Sequence, residues 1–235
     1  MKRLSVLLIG LLALCCHAQQ SYPNDFFDYS LDDPVSFTGK TPKISDFLVN
    51  FLNIEQTSEV MGDLQDAWDH YLRHEPQDSC VQFMIDEKNG YLRHTFDSRL
   101  CDFFEDPDEE SCYNVYEMCF WNCADGKHKL LAENCVGMIN DRYVSTEYSG
   151  VSFYLYDNDS RKLFPVSEEE IGAYIEPKLD ESATDTGKTL TTFDDEAIVV
   201  YWLPQQGKDI NVEIVSGTKR EEARLVWDGM RFKRQ

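Results

Sequence analysis

Basic side chains are scarce in this sequence: 22 Lys and Arg stand against 43 Asp and Glu, a formal net charge of −21. A surface of that sign repels phosphate backbones, so nucleic acid is not an expected partner. Long apolar runs are scarce too. Residues 4–14 form an uncharged apolar run of 11, and no later stretch approaches the roughly 20 residues that a membrane-spanning helix needs. Catalytic signatures are missing. The chain has no Gly-x-Ser-x-Gly, no glycine-rich phosphate loop and no dinucleotide fingerprint. No cofactor is expected.

The short apolar run has the makings of an export signal. Lys2 and Arg3 precede it, and Cys16-His17-Ala18 follows it with small residues where a signal peptidase needs them. Residues 1–18 are therefore read as a signal peptide and Gln19 as the new N-terminus. The competing reading is a lipid anchor on Cys15 or Cys16, but Leu14 before Cys15 is large for such a signal. Removing Lys2 and Arg3 leaves 20 basic against 43 acidic side chains, a charge of −23 on a mature chain of 217 residues. Cationic ligands and basic proteins suit that surface, although solubility alone accounts for much acidic charge. A chain of this length buries a core without needing metal or disulfide support.

Six cysteines follow the leader: Cys80, Cys101, Cys112, Cys119, Cys123 and Cys135. An even number in an exported chain points to disulfides, with about 15 possible connectivities. Cys101 and Cys112 bracket a segment with six acidic residues and Pro107, and are the expected pair. A bridge there closes a loop of about 12 residues, worth roughly 3 kcal/mol. Cys119-x3-Cys123 lacks the second close pair that a zinc site needs.

The pattern along the chain predicts an α+β fold. Residues 19–40 are polar and acidic and read as a linker or loose arm. A single domain follows over 41–235, helical over 41–76 and mainly β over 80–235. Thr41-Pro42 opens a helix in which Ile44, Phe47, Leu48, Phe51 and Leu52 recur at helical spacing. A second helix over 58–74 carries Val60, Leu64, Ala67, Trp68, Tyr71 and Leu72 on one stripe, and Pro76 stops it. Beyond residue 80, short strands alternate with turns at Asn89-Gly90, Asp125-Gly126, 157–160, 204–207 and Asp228-Gly229. The expected architecture is an N-terminal helix pair on a mainly antiparallel sheet or partly closed barrel.

Several clusters carry weak chemistry. His70 and His74 lie one turn apart on the second helix, with Asp66 a turn earlier, at a spacing that suits a metal. Asp106, Asp108, Glu110, Asn114 and Glu117 fit part of a calcium-loop pattern, but Ser111 stands where glycine is required. No metal is expected at either place. Acidic pairs suited to glycoside hydrolysis are not singled out by any pattern. Aromatics on both faces of the predicted strands are the remaining handle. Tyr113, Trp121, Tyr154, Tyr156 and Trp202 are the candidate partner-binding residues, against the alternative that both sheet faces are buried.

The leader, residues 121–130 (WNCADGKHKL) and residues 203–210 (LPQQGKDI) together resemble small exported proteins of unknown function from anaerobic gut bacteria. That resemblance implies a secreted or cell-envelope location and supplies no activity. The sequence therefore reads as a periplasmic or secreted, non-enzymatic domain that binds an envelope or extracellular protein, a glycan or another envelope component. The alternatives are an acidic-residue hydrolase of glycans or envelope polymers, and a structural subunit of an envelope complex.

Overall fold

The computed structural model describes residues 33–54, 59–101, 110–145, 149–179, 183–185 and 197–235. The fold is α+β: mostly antiparallel β-sheet with a few helices. Helix α1 spans Ile44–Ile54 and α2 spans Glu59–Arg73. A seven-stranded sheet contains β1 (Val81–Asp86), β2 (Tyr91–Asp97), β3 (Cys112–Asn122), β4 (His128–Ile139), β5 (Arg142–Val144), β6 (Gly150–Asp157) and β7 (Leu163–Val166). Its order is β1-β2-β3-β4-β6-β7, with β5 added beside the far end of β4. The short helix α3 (Glu168–Ile171) leads toward a five-stranded sheet of β8 (Thr184–Asp185), β9 (Ile198–Trp202), β10 (Ile210–Ser216), β11 (Lys219–Trp227) and β12 (Phe232–Arg234). Among the described residues no helix is long and apolar enough to cross a membrane.

Strand alternation divides the buried residues of the large sheet between its two faces. Leu92, Tyr116, Met118, Leu131, Tyr154 and Tyr156 meet Ile44, Phe47, Leu48 and Phe51 of α1 and Leu64 of α2. The α1 side chains recur at helical spacing because one face of that helix is buried on the sheet, each side chain contributing about 1.5–3 kcal/mol. Tyr91, Cys119, Trp121, Leu130, Ala132 and Phe153 point the other way, against Tyr201, Ile210, Val212, Leu225 and Trp227 of the small sheet. A third cluster joins Val115, Val136 and Tyr143 to Val200 and Val215, from the opposite face of β9 and β10. Both faces of β9 are therefore buried.

Among the described residues neither sheet closes on itself, so they form no partly closed barrel. The large sheet ends at β1 on one side and β7 on the other. The strands that would have to complete a barrel form the small sheet instead, which covers one face of the large one.

Candidate functional site

An open sheet leaves unpaired N–H and C=O groups along its edge strands, and stable proteins block them. The blocking is visible strand by strand. Edge strand β9 turns its outer side to the face of the large sheet. There Asn134 donates its side-chain N–H to the Tyr201 carbonyl at 2.7 Å, and the Leu203 N–H donates to Glu117 Oε2 at 3.0 Å. Two polar side chains of the large sheet thus stand in for a missing strand. Glu117 is 2% exposed and holds further donors: the Tyr91 hydroxyl at 2.6 Å and Asn134 Nδ2 at 3.4 Å, with the Arg93 guanidinium 3.9 Å away. Burial, then the Glu117 charge, push the Tyr91 pKa up. Strand β7 has four residues and carries Pro165, which cannot donate to a ladder. Strands β5, β8 and β12 are only two or three residues long.

Strand β1 is the exception. It runs six residues, pairs with β2 on one side, and among the described residues meets no strand on the other. It contains no proline or lysine. Gln82 and Met84 are exposed on its outer face, with Met84 at 38%. Beside it the last turns of α2 leave Tyr71 43% and Leu72 54% exposed. Phe83 links the two elements, its ring centroid 6.4 Å from Trp68 and 5.7 Å from Tyr71, while Trp68 and Tyr71 lie nearly parallel at 5.7 Å. His94, behind Phe83, is buried, and its burial lowers its pKa to about 4. The turn after β1 is held by Asp86, which accepts from the Asn89 backbone at 3.1 Å and its side chain at 2.7 Å; the Asn89 bonds lower the Asp86 pKa. Gln205 reaches across from the small sheet to Asp86 at 3.4 Å. The surroundings are acidic: residues 59–97 hold nine Asp and Glu against three Lys and Arg.

The aromatic residues picked out by pattern fare differently. Trp121, Tyr154 and Tyr156 are 4%, 5% and 0% exposed, so they are packing residues and not surface contacts. Trp121 donates to the Lys208 carbonyl at 2.9 Å and packs edge-on against Phe232; the Tyr154 hydroxyl donates to Glu133 at 2.7 Å; Tyr156 packs against Phe47. Helices cover one face of the sheet and a second sheet covers the other, which is what takes these rings out of reach. Tyr113 and Trp202 stay half-buried, the former accepting from Arg93 at 3.5 Å and the latter donating to Glu213 at 3.2 Å.

The metal candidates do not converge. His70 Nδ1 lies 3.2 Å from the Pro76 carbonyl, and His74 is exposed in a left-handed conformation at φ 55°. Asp106 and Asp108 lie outside the described residues, Glu110 is exposed, and Glu117 points into the core. Among the described residues no three His, Cys, Asp or Glu side chains come together as a metal site. No disulfide is drawn between any two of Cys80, Cys101, Cys112, Cys119, Cys123 and Cys135. Cys119 is buried facing the small sheet, and Cys123 lies four residues on, about 13 Å along the strand direction, too far to share a zinc ion. Burial raises the Cys123 and Cys135 thiols to about 11. Cys112 donates its N–H to Ser98 Oγ at 2.8 Å, and the Cys101 thiol faces Cys80.

The enclosed carboxylates are likewise occupied. Glu133 accepts from the Tyr116 and Tyr154 hydroxyls at 3.1 and 2.7 Å, and burial raises its pKa against their pull. Glu213 takes the Trp202 indole, the Tyr143 hydroxyl and the Arg220 guanidinium. The residues that pattern reading passed over are those of the β1 edge. Tyr71 and Leu72 share a helical stripe with Leu64 and Ala67, so spacing alone assigns them to the core. No family model matches the chain, and no curated protein or solved structure matches it either.

Proposed function

We propose that this chain is an exported, non-enzymatic binding domain, and that it takes an extended, basic protein segment as an added strand along β1. The reading rests on one observation: among the described residues β1 is six residues long and meets no strand on its outer side, while the other edges are short, proline-bearing or capped by buried side chains. Strand addition gives affinity through main-chain hydrogen bonds and specificity through alternate side chains. Met84 offers an apolar contact on the face of the strand that Gln205 touches at 3.8 Å, and Tyr71 and Leu72 offer a separate one on the opposite, helix-covered face. The acidic excess over residues 59–97 favours a basic segment and disfavours an anionic polymer. Glu117, Glu133 and Glu213 all serve internal donors, which weighs against acid–base hydrolysis. In this reading residues 1–18 are removed on export, α1 and α2 act as a helix pair over the sheet, and the domain works in the periplasm or outside the cell.

Photocrosslinking tests the proposal. A photoreactive residue at Met84, in protein exported by its own cells, is expected to capture a protein; the same residue at Glu222, exposed on β11, is not. Equal capture at both positions, or capture of glycan alone at Met84, contradicts it.

A further inference from the structure

We propose that Cys80 and Cys101 form a disulfide in the exported protein, tying together the two chain ends of the β1–β2 hairpin. Cys80 sits one residue before the first β1–β2 pair, Val81 with Phe96, and its carbonyl accepts from the Asp97 N–H at 2.9 Å. A 3-10 turn over Ser98–Leu100 then reverses the chain; the Asp97 side chain caps it by accepting from the Arg99 N–H at 3.1 Å. Ser79 Oγ donates to the Leu100 carbonyl at 2.5 Å, which brings the end of the turn back to the start of β1. The Cys80 side chain is left beside the Cys101 thiol, whose Sγ also lies 4.0 Å from the Asp97 carbonyl, and both residues are buried, at 6% and 5% exposure.

The chemistry requires an oxidant, and an exported thiol–disulfide oxidase supplies it. One cysteine thiolate attacks the oxidase disulfide, forming a mixed disulfide and releasing one oxidase thiol. The second cysteine thiolate then displaces the other oxidase sulfur. The S–S bond forms between Cys80 and Cys101, and two electrons and two protons leave with the reduced oxidase. Burial, with Cys80 next, pushes the Cys101 thiol up to about 12, so the Cys101 thiol is a poor nucleophile once it is enclosed. A bridge at Cys101 excludes the Cys101–Cys112 pairing expected from sequence spacing, because one sulfur takes one partner.

The mature chain, refolded in mixed oxidised and reduced glutathione, is alkylated without reduction, digested and mapped by mass spectrometry. The expected product is a peptide containing Cys80 linked to one containing Cys101. Alkylated Cys80, or Cys101 linked to Cys112, overturns the proposal. Thermal unfolding supplies a second measurement. Reductant, Cys80→Ala and the double change Cys80→Ala/Cys101→Ala should lower Tm by the same amount, roughly 5–15 °C. A wild-type Tm indifferent to reductant also overturns it.

Discussion

Replacing Glu117 by alanine strips the acceptor from two buried donors at once. The Tyr91 hydroxyl, 2.6 Å away, and the Leu203 N–H, at 3.0 Å, lose their partner in a region closed to water. Each orphaned buried donor costs about 1–3 kcal/mol. Asn134 keeps its bond to the Tyr201 carbonyl at 2.7 Å and adds little. Arg93 is about one-third exposed and is rehydrated, so its loss is discounted. The sum is about 2–6 kcal/mol, a large share of the 5–15 kcal/mol typical of a domain. Glu117→Gln retains one acceptor oxygen but turns an N–H toward one of the two donors, so about 1–3 kcal/mol is expected. Tyr91→Phe alone removes one partner and costs about 1 kcal/mol. Urea unfolding of the two single variants and the double variant gives the coupling. Glu117→Ala and Tyr91→Phe should be non-additive by at least about 1 kcal/mol, because the second change removes a donor the first has orphaned. Glu117→Ala within about 1 kcal/mol of wild type would refute the claim that Glu117 completes the β9 edge, and strict additivity with Tyr91→Phe would refute the Tyr91–Glu117 bond.

Two further perturbations probe other parts of the fold. Buried His94 titrates near 4 in the folded protein against 6.5 in the unfolded chain, so the unfolded state binds more protons between those values. The full stability is present above about pH 6.5 and is lost as pH falls toward 4, by up to about 3 kcal/mol; His94→Phe should flatten that slope in denaturant titrations at stepped pH, and an unchanged slope contradicts it. Gly172 ends α3 at φ +71°, and a Cβ there would fall 2.5 Å from the Phe232 carbonyl oxygen. Gly172→Ala should destabilise by about 2–4 kcal/mol in urea, whereas a neutral effect would mean that the approach of β12 to α3 is looser than described.

The local grammar of the sequence was largely readable. Alternation at Val81, Phe83 and Ile85 with Asn89-Gly90 marks the β1–β2 hairpin, and the Ser167-x-x-Glu170 spacing marks the capping box that opens α3. What escaped was non-local. Polar Glu133 and Asn134 make β4 look finished near Ala132, yet the strand continues to Ile139 because Tyr116, Tyr154 and the Tyr201 carbonyl satisfy those two side chains from other strands. The division into two sheets has the same origin: nothing in residues 198–202 announces that the outer edge of β9 will be met by side chains 64 or more positions away. The aromatic candidates failed for a related reason. A ring that alternates to a strand face looks the same in sequence whether that face is bare or covered, and Trp121, Tyr154 and Tyr156 lie on covered ones. Helix α3 is only four residues long because Gly172 ends it in a left-handed turn.

The central claim is that β1 is open while β9 is sealed, and amide hydrogen exchange resolved by residue measures that difference directly. In a strand every second N–H points to the same edge, so the outward amides of β1 after Val81, whose own N–H donates to the Asp78 carbonyl at 3.0 Å, should exchange within the free protein far faster than their neighbours bonded to β2. The Leu203 amide, on the outer edge of β9, should instead be protected, and Glu117→Ala should release it. Uniform protection across Val81–Asp86, or a Leu203 amide that exchanges as freely as the open β1 positions, would contradict the account.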